Sequence, residues 1–405
     1  MYQNNVCTDT LCSVFVFSYR AKTMNTPSQI IKVPRKVILP LVWADHTART
    51  MLTGLFSFSH EKEDWEFLRI PCTPEAIQNV AKRNPDGMIG RFPETDCIQA
   101  ALDLDIPLVN VSGAAVRLGM AQVGEDNRAI GRMAAEHFIE EGFEHFGYHG
   151  LAGETSSRER WEGFKQRVEA EGLKAHRFEC GEKTPWADTA EWLAALPRPV
   201  GILSLTDSQA VYVHKTCRNL NLVVPDDVAI LGVGDDPIYC FSTTPRLSSI
   251  QLPAFQMGCK AAQLLSHLFA GKPIGEKPLL LPPKGVVARR STDFLQFEDV
   301  CLKKAVCFIR DHCGDEMTVE QVVRQSGVSR RLLEMKFRAQ LGRSPQLEIR
   351  RVRIEKAKEL LADTRLPFQD VAERAGLKTV SYLCQAFKTV TGTSPGAYRR
   401  QFQHE

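Results

Sequence analysis

Between Thr318 and Pro395 the chain states one pattern twice. The first copy runs Val322-Val323-Arg324-Gln325-Ser326-Gly327-Val328-Ser329, then Leu333, Phe337 and Gly342-Arg343-Ser344-Pro345. The second runs Val371-Ala372-Glu373-Arg374-Ala375-Gly376-Leu377-Lys378, then Leu383, Phe387 and Gly392-Thr393-Ser394-Pro395. The offset is 49 residues up to the first glycine and 50 afterwards, so the second copy carries one extra residue after its turn. A short amphipathic helix, a glycine turn, a second helix and a closing Gly-x-Ser-Pro are the grammar of a helix-turn-helix, here in tandem.

Charge supports a polyanionic partner for this part of the chain. Residues 301–405 hold 20 lysines and arginines against 12 acids, while the other 300 hold 31 against 36. A basic quarter on an acidic body predicts that a polyanion meets that quarter alone.

Thr318 and Gln321 form a capping box, and Val319, Val322 and Val323 give the stripe that turns the first scaffold helix inward. Ser329 caps the following helix, on which Leu333 and Phe337 point to the core. Arg330, Arg331, Glu334 and Arg338 then remain outward. Arg330 and Arg331 occupy the first turn, where a recognition helix reaches base edges and an arginine can grip guanine O6 and N7; contact with phosphate alone is the other reading. In the second copy Phe368, Val371, Ala372, Ala375, Leu383 and Phe387 are core candidates, and Lys378, Thr379, Ser381, Gln385 and Lys388 face out. Pro345–Leu361 between the copies reads as one helix with Leu347, Ile354, Ala357 and Leu361 as its spine. At about 1.5 Å per residue it spans ~26 Å, of the order of the ~34 Å between successive major grooves.

Upstream, from Arg35, short apolar runs alternate with helical segments. Expected strands are Lys36–Val42, Gly87–Arg91, Pro107–Val111, His145–His149, Val200–Ser204 and Val228–Val233. Expected helices are Ala48–Ser59, Glu75–Arg83, Asp96–Asp103, Asn127–Glu141, Ser157–Glu171, Thr189–Leu196, Asp207–Leu220 and Ala254–Phe269. Continuous apolar strands between amphipathic helices predict α/β architecture with doubly wound parallel sheets. The number of units predicts two lobes with a ligand cleft at the strand ends. The expected division is an irregular extension over 1–34, a sensor over 35–290, a linker over 291–302 and an all-α tandem helix-turn-helix domain over 303–405.

Several motifs carry a resemblance. Val123-Gly124-Glu125-Asp126-Asn127 with Gly131 and Ala134-Ala135-Glu136-His137-Phe138 is similar to the ligand domain of lactose/galactose-repressor-type regulators. So are Ser157-Arg158-Glu159-Arg160-Trp161-Glu162-Gly163-Phe164 and the run from Val224 to Asp236. Those repressors place their helix-turn-helix at the N-terminus. Here Thr318–Phe402 instead resembles the AraC/XylS-type DNA-binding domain, although Leu377 and Leu383 stand where aromatics are usual and Gln385 where arginine is common. A sensor of the first type followed by a reader of the second resembles the bacterial xylose regulators.

The resemblance implies a periplasmic-binding-protein-like sensor that takes a sugar effector, with D-xylose first and another pentose, a hexose or a nucleoside as alternatives. By motif it implies ligand contacts at Arg160, Arg49, Asp207, Asp235 and Asp236, with Trp43 as an aromatic cover. It further implies double-stranded operator DNA, a homodimer and RNA polymerase as partners.

Other classes find little support. Nucleotide-fingerprint, phosphate-loop, nucleophile-elbow and zinc-protease patterns are missing, so neither enzyme chemistry nor a cofactor is expected. The twelve cysteines show no C-x-x-C spacing, and His137, His145 and His149 lack metal spacing, so no metal is expected and reduced thiols in a cytoplasmic protein are. No apolar run approaches the ~20 residues that span a bilayer. Leu11–Ser18 lacks the flanks of a signal peptide, which speaks against a periplasmic binding protein, and Met24 is an alternative start.

Overall fold

The computed structural model describes residues 34–402, apart from 42–44, 93–94, 113–119, 182–186, 274, 276 and 295–298. Lobe 1 starts with β1 (Arg35–Pro40), α1 (His46–Lys62), β2 (Trp65–Ile70), α2 (Pro74–Val80), β3 (Gly87–Gly90), α3 (Thr95–Leu102), β4 (Leu108–Asn110) and β5 (Ala121–Glu125). Lobe 2 follows with α4 (Asn127–Glu140), β6 (His145–Leu151), α5 (Thr155–Ala170), β7 (Ala175–Cys180) and α6 (Ala187–Ala195). It continues through β8 (Val200–Ser204), α7 (Asp207–Asn219), β9 (Val228–Val233), α8 (Pro237–Cys240) and β10 (Ser248–Gln251). The chain then returns to lobe 1 for α9 (Ala254–Phe269) and β11 (Leu279–Leu281), and to lobe 2 for β12 (Gly285–Val287).

Two six-stranded sheets result, ordered β11-β5-β4-β3-β1-β2 and β12-β10-β9-β8-β6-β7. Among the described residues all pairings are parallel except β12 with β10. The expected doubly wound architecture is therefore present, one sheet per lobe. The central strands β3, β8 and β9 are buried along their whole length, which is why they stand out as apolar runs.

Both lobes pack two helices through paired glycines. A Cβ on Gly54 of α1 would stand 2.0 Å from the carbonyl oxygen of Phe255, and one on Gly258 of α9 would stand 1.8 Å from that of Met51. In lobe 2 the pair is Gly131 on α4 and Gly163 on α5, whose Cβ positions meet the carbonyls of Arg160 and Arg128 at 1.9 and 2.1 Å. The α9 side chains Met257, Ala261, Ala262 and Leu265 complete the lobe 1 core begun by Val37, Leu39 and Leu52.

The expected linker needs correction. Residues 291–293 belong to lobe 2: the Ser291 hydroxyl donates to the Ile230 carbonyl at 2.6 Å and accepts from the Ser248 amide at 2.8 Å. A polar run looks like a linker until its hydroxyls are seen to be buried and hydrogen-bonded. At the other end, α10 (Val300–Asp311) begins inside the expected linker, capped by Asp299.

The C-terminal domain continues with α11 (Val319–Ser326), α12 (Arg330–Leu341), α13 (Pro345–Asp363), α14 (Phe368–Arg374), α15 (Val380–Thr391) and α16 (Pro395–Phe402). Its two cores share α13. Ile349 and Val352 join Leu302, Val322, Leu333 and Phe337 in the first unit; Ile354, Ala357 and Leu361 join Val371, Leu383 and Phe387 in the second. Leu347, expected in the spine, is 51% exposed.

Among the described residues no helix is long and apolar enough to cross a membrane.

Candidate ligand cleft and nucleic-acid interface

A cavity of about 280 Å³ opens between the lobes at the carboxyl ends of their strands. Lobe 1 contributes Asp45, His46 and Thr47 from the start of α1, with Arg91 after β3 and Glu125 at the end of β5. Lobe 2 contributes Arg160, Asp207, Gly234, Asp236 and Tyr239, among others.

Arg160 is 5% exposed and held on three sides. Its Nε donates to Asn127 Oδ1 at 2.9 Å, one terminal nitrogen donates to the Leu205 carbonyl, and the other faces Glu125 Oε1 at 3.6 Å. Burial lowers its pKa from the ordinary arginine value while Glu125 opposes the shift; an arginine keeps its charge regardless. The guanidinium is a fixed cation reaching from lobe 2 to the last residue of β5 in lobe 1.

Asp207 opens α7, whose N-cap is Thr206. Its Oδ1 accepts from the Ser249 hydroxyl at 2.5 Å and its Oδ2 from the Asp236 amide at 2.8 Å. Burial pushes its pKa up to about 6, against the pull of those two donors. Asp236 caps the short α8 through the Ile238 amide and faces the same cavity. A buried cation beside two carboxylates can grip vicinal hydroxyls from both sides.

Of the remaining expected ligand residues, Asp235 and Arg49 lie off the cavity lining. Asp235 does not line the cavity: its carboxylate takes a 2.8 Å ion pair with Arg289 and its amide donates to Ser249 Oγ. The turn explains this, because Gly234 (φ 128°) and Asp235 (φ 52°) both adopt positive φ and carry the Asp235 side chain towards Arg289. Arg49 is exposed on α1 and is not among the cavity-lining residues, one turn beyond those that are. Trp43 lies outside the described residues. Residue-by-residue reasoning missed Glu125 and Asn127, although both stand in the quoted Val123–Asn127 motif, and Thr206, the capping residue before Asp207.

In the C-terminal domain the capping box is present in both directions: Thr318 Oγ1 accepts from the Gln321 amide, and Gln321 Oε1 accepts from the Thr318 amide. Gly327 and Gly376 terminate the scaffold helices with φ of 72° and 68°. The extra residue of the second copy is Lys378, itself at φ 54°. The insertion is absorbed as one left-handed residue before the Thr379 cap, a conformation that disfavours a side chain by roughly 1–2 kcal/mol.

Arg331 and Arg338 are exposed on α12, and Ser381, Gln385 and Lys388 on α15. Lys378 and Thr379 precede α15, and the Thr379 hydroxyl accepts from the Tyr382 amide. Arg330 is exposed and already paired, through Nε to Glu334 Oε1 at 3.1 Å and through a terminal nitrogen to Glu320 Oε1 at 2.9 Å. Glu320 lies on the scaffold helix and was not expected at this surface. Helix α13 holds the two units at a fixed spacing; its first turn is pinned by the buried Glu348, which pairs with Arg343 and Arg351.

Comparison with known proteins agrees with this division. A periplasmic binding protein-like domain matches residues 135–292, and a helix-turn-helix domain matches 322–401. The xylose operon regulatory protein of Escherichia coli strain K12 is 31% identical over 327 residues, covering 78% of this chain and 83% of that protein. Its counterpart in Haemophilus influenzae is 26% identical, with 78% and 84% covered. The solved structure of a xylose-binding transcription activator, XylR, matches with a TM-score of 0.75 at 26% identity, over 92% of this chain and 99% of that one. A LacI family regulator from Enterococcus faecium, solved with ribose, shares the fold at a TM-score of 0.55 and 20% identity, over 65% of this chain. By length, domain order and identity, the chain belongs to the xylose operon regulatory protein family of DNA-binding transcription regulators.

Proposed function

We propose that the effector is a sugar, D-xylose first, bound in the cleft between the lobes, and that its binding alters how the tandem helix-turn-helix units engage operator DNA. The observation that carries this reading is the convergence of Arg160, Asp207 and Asp236 on one cavity at the strand ends. Its volume of about 280 Å³ suits a monosaccharide and sits just below the ~300–1,000 Å³ of pockets that take drug-sized ligands. A ligand touching both lobes favours the closed arrangement by its differential affinity for the two.

The same reading makes Arg330, Arg331, Glu334 and Arg338 of α12 and Lys378, Thr379, Ser381, Gln385 and Lys388 around α15 the DNA-facing set. It places the protein in the cytoplasm as a homodimer without catalytic activity, with RNA polymerase as a further partner at the promoter. A calorimetric or thermal-shift screen of pentoses and hexoses tests it. Saturable binding of D-xylose supports the assignment; silence towards D-xylose with a clear response to another sugar replaces the effector and keeps the regulator.

A further inference from the structure

The Asp235–Arg289 pair lies between the cleft and the DNA-binding domain, on a route made of contacts and of the strap 289–293. Asp207 lines the cavity and accepts from Ser249 Oγ; Ser249 Oγ in turn accepts from the Asp235 amide at 2.9 Å. The Asp235 carboxylate holds Arg289 at 2.8 Å. Arg289 is also anchored to lobe 2, its side chain donating to the Leu247 carbonyl at 3.0 Å and its amide to Ser248 Oγ at 2.8 Å. Four residues on, Asp293 receives both terminal nitrogens of Arg310, on its carbonyl and on Oδ1, each at 2.9 Å. Arg310 belongs to α10, the first helix of the DNA-binding domain, and is 8% exposed.

Most links are dry. Ser248, Ser249 and Ser291 are 0% exposed and Thr292 1%. Hydrogen bonds in such surroundings are electrostatically stronger than in water and costly to leave unmade. The turn at the cleft end is under strain, because a non-glycine residue at φ 52° persists only where its neighbours impose it. Gly234 and Asp236, on either side of Asp235, both line the cavity. A ligand in contact with them therefore acts on the turn that Arg289 holds.

We propose that Asp235 and Arg289 are positioning residues that link cleft occupancy to the placement of α10, through the strap 289–293 and the Asp293–Arg310 contact. The inference rests on the sugar-regulator reading and names its route. It gives Asp235 a task other than touching the sugar. The route counts as allosteric only if breaking it changes the coupling free energy between sugar and DNA while leaving each binding event in place.

The test uses the full-length chain, D-xylose, and a DNA duplex selected by the wild-type protein from a random pool. Calorimetry gives the sugar affinity, and fluorescence anisotropy gives duplex affinity with and without sugar. Arg289→Gln is expected to bind D-xylose within about threefold of wild type, while the sugar-induced change in duplex affinity shrinks about fivefold or more, within the range of known coupling factors. Arg289→Lys, which keeps the charge, retains more of that change than Arg289→Gln. Undiminished coupling in Arg289→Gln overturns the proposal, as does a parallel loss of sugar affinity. If neither variant folds, the contact is a staple of lobe 2 and the positioning role is overturned. A wild-type protein whose duplex affinity ignores D-xylose refutes the xylose-regulator reading itself, before any variant is considered.

Discussion

The carbonyl oxygen of Arg160 occupies the space in which a side chain on Gly131 would begin, 1.9 Å from the ideal Cβ position. Helix α5, which presents Arg160 to the cleft, is therefore set at the depth that a bare backbone on α4 allows. Gly131→Ala gains up to about 1 kcal/mol of helix propensity. It loses more, because overpacking against a rigid backbone costs typically 1–3 kcal/mol and at this separation the upper end. Thermal unfolding is expected to fall by several degrees, and sugar affinity with it. Gly181→Ala, where a Cβ meets nothing within 4 Å, is the control that leaves both unchanged.

Replacing Arg160 by lysine tests the buried fork. One ammonium cannot serve both Asn127 Oδ1 and the Leu205 carbonyl while facing Glu125. An unmet buried acceptor costs about 1–3 kcal/mol, and calorimetry should show sugar affinity reduced at least about tenfold by the same scale. Wild-type affinity in Arg160→Lys would remove the guanidinium from the site.

Asp207 supplies a pH signature. Without ligand its folded pKa is about 6 against an ordinary 3.8, so the fold favours the protonated acid and the unliganded protein loses stability as pH rises between those values. A sugar hydroxyl donating to Asp207 favours the carboxylate instead. Sugar affinity should then fall as pH drops below 6, by up to about tenfold per pH unit, and level off above 7. Calorimetry near pH 6 in buffers of different ionisation enthalpy should detect proton release on binding. Zero release would mean that the sugar does not meet this carboxylate.

The pairing of Arg330 with Glu320 and Glu334 is exposed, and solvent screening leaves such pairs weak. A bidentate guanine contact is worth ~1–3 kcal/mol, so DNA can draw the arginine away. Arg330→Ala should weaken binding to a selected operator by ~1–3 kcal/mol and leave unrelated DNA nearly unaffected. An equal loss on both, with a salt slope smaller by about one, would assign Arg330 to phosphate.

What the amino-acid order revealed follows from which residues are buried on both sides. Strands β8 and β9 and helix α9 coincide with their expected limits, because uninterrupted apolar runs and a Gly-Lys-Pro stop admit few alternatives. The edge strands β2 and β7 escaped notice: Trp-Glu-Phe-Leu-Arg-Ile and Ala-His-Arg-Phe-Glu-Cys mix charge with apolar residues because one face meets solvent. Strand β10 hid for the opposite reason, since Ser248 and Ser249 are fully buried but satisfied by Ser291 and Asp207. Of the expected ligand residues, Arg160, Asp207 and Asp236 line the cavity between the lobes. Asp235 lies outside that lining, because the φ values of the turn decide which of two adjacent aspartates faces the cavity.

The return of the chain to lobe 1 for α9 and β11 has a consequence for biosynthesis. While lobe 2 is being translated, on the order of ten seconds at ~5–20 residues per second, the face of α1 that bears Met51, Leu52 and Leu55 has no α9 to cover it. The N-terminal part of the sensor leaves the ribosome first and completes its core late, after the C-terminal part has received most of its own. The DNA-binding domain, contiguous from Asp299 to Phe402, carries no such debt. During synthesis, the apolar side of α1 is the surface a chaperone would meet.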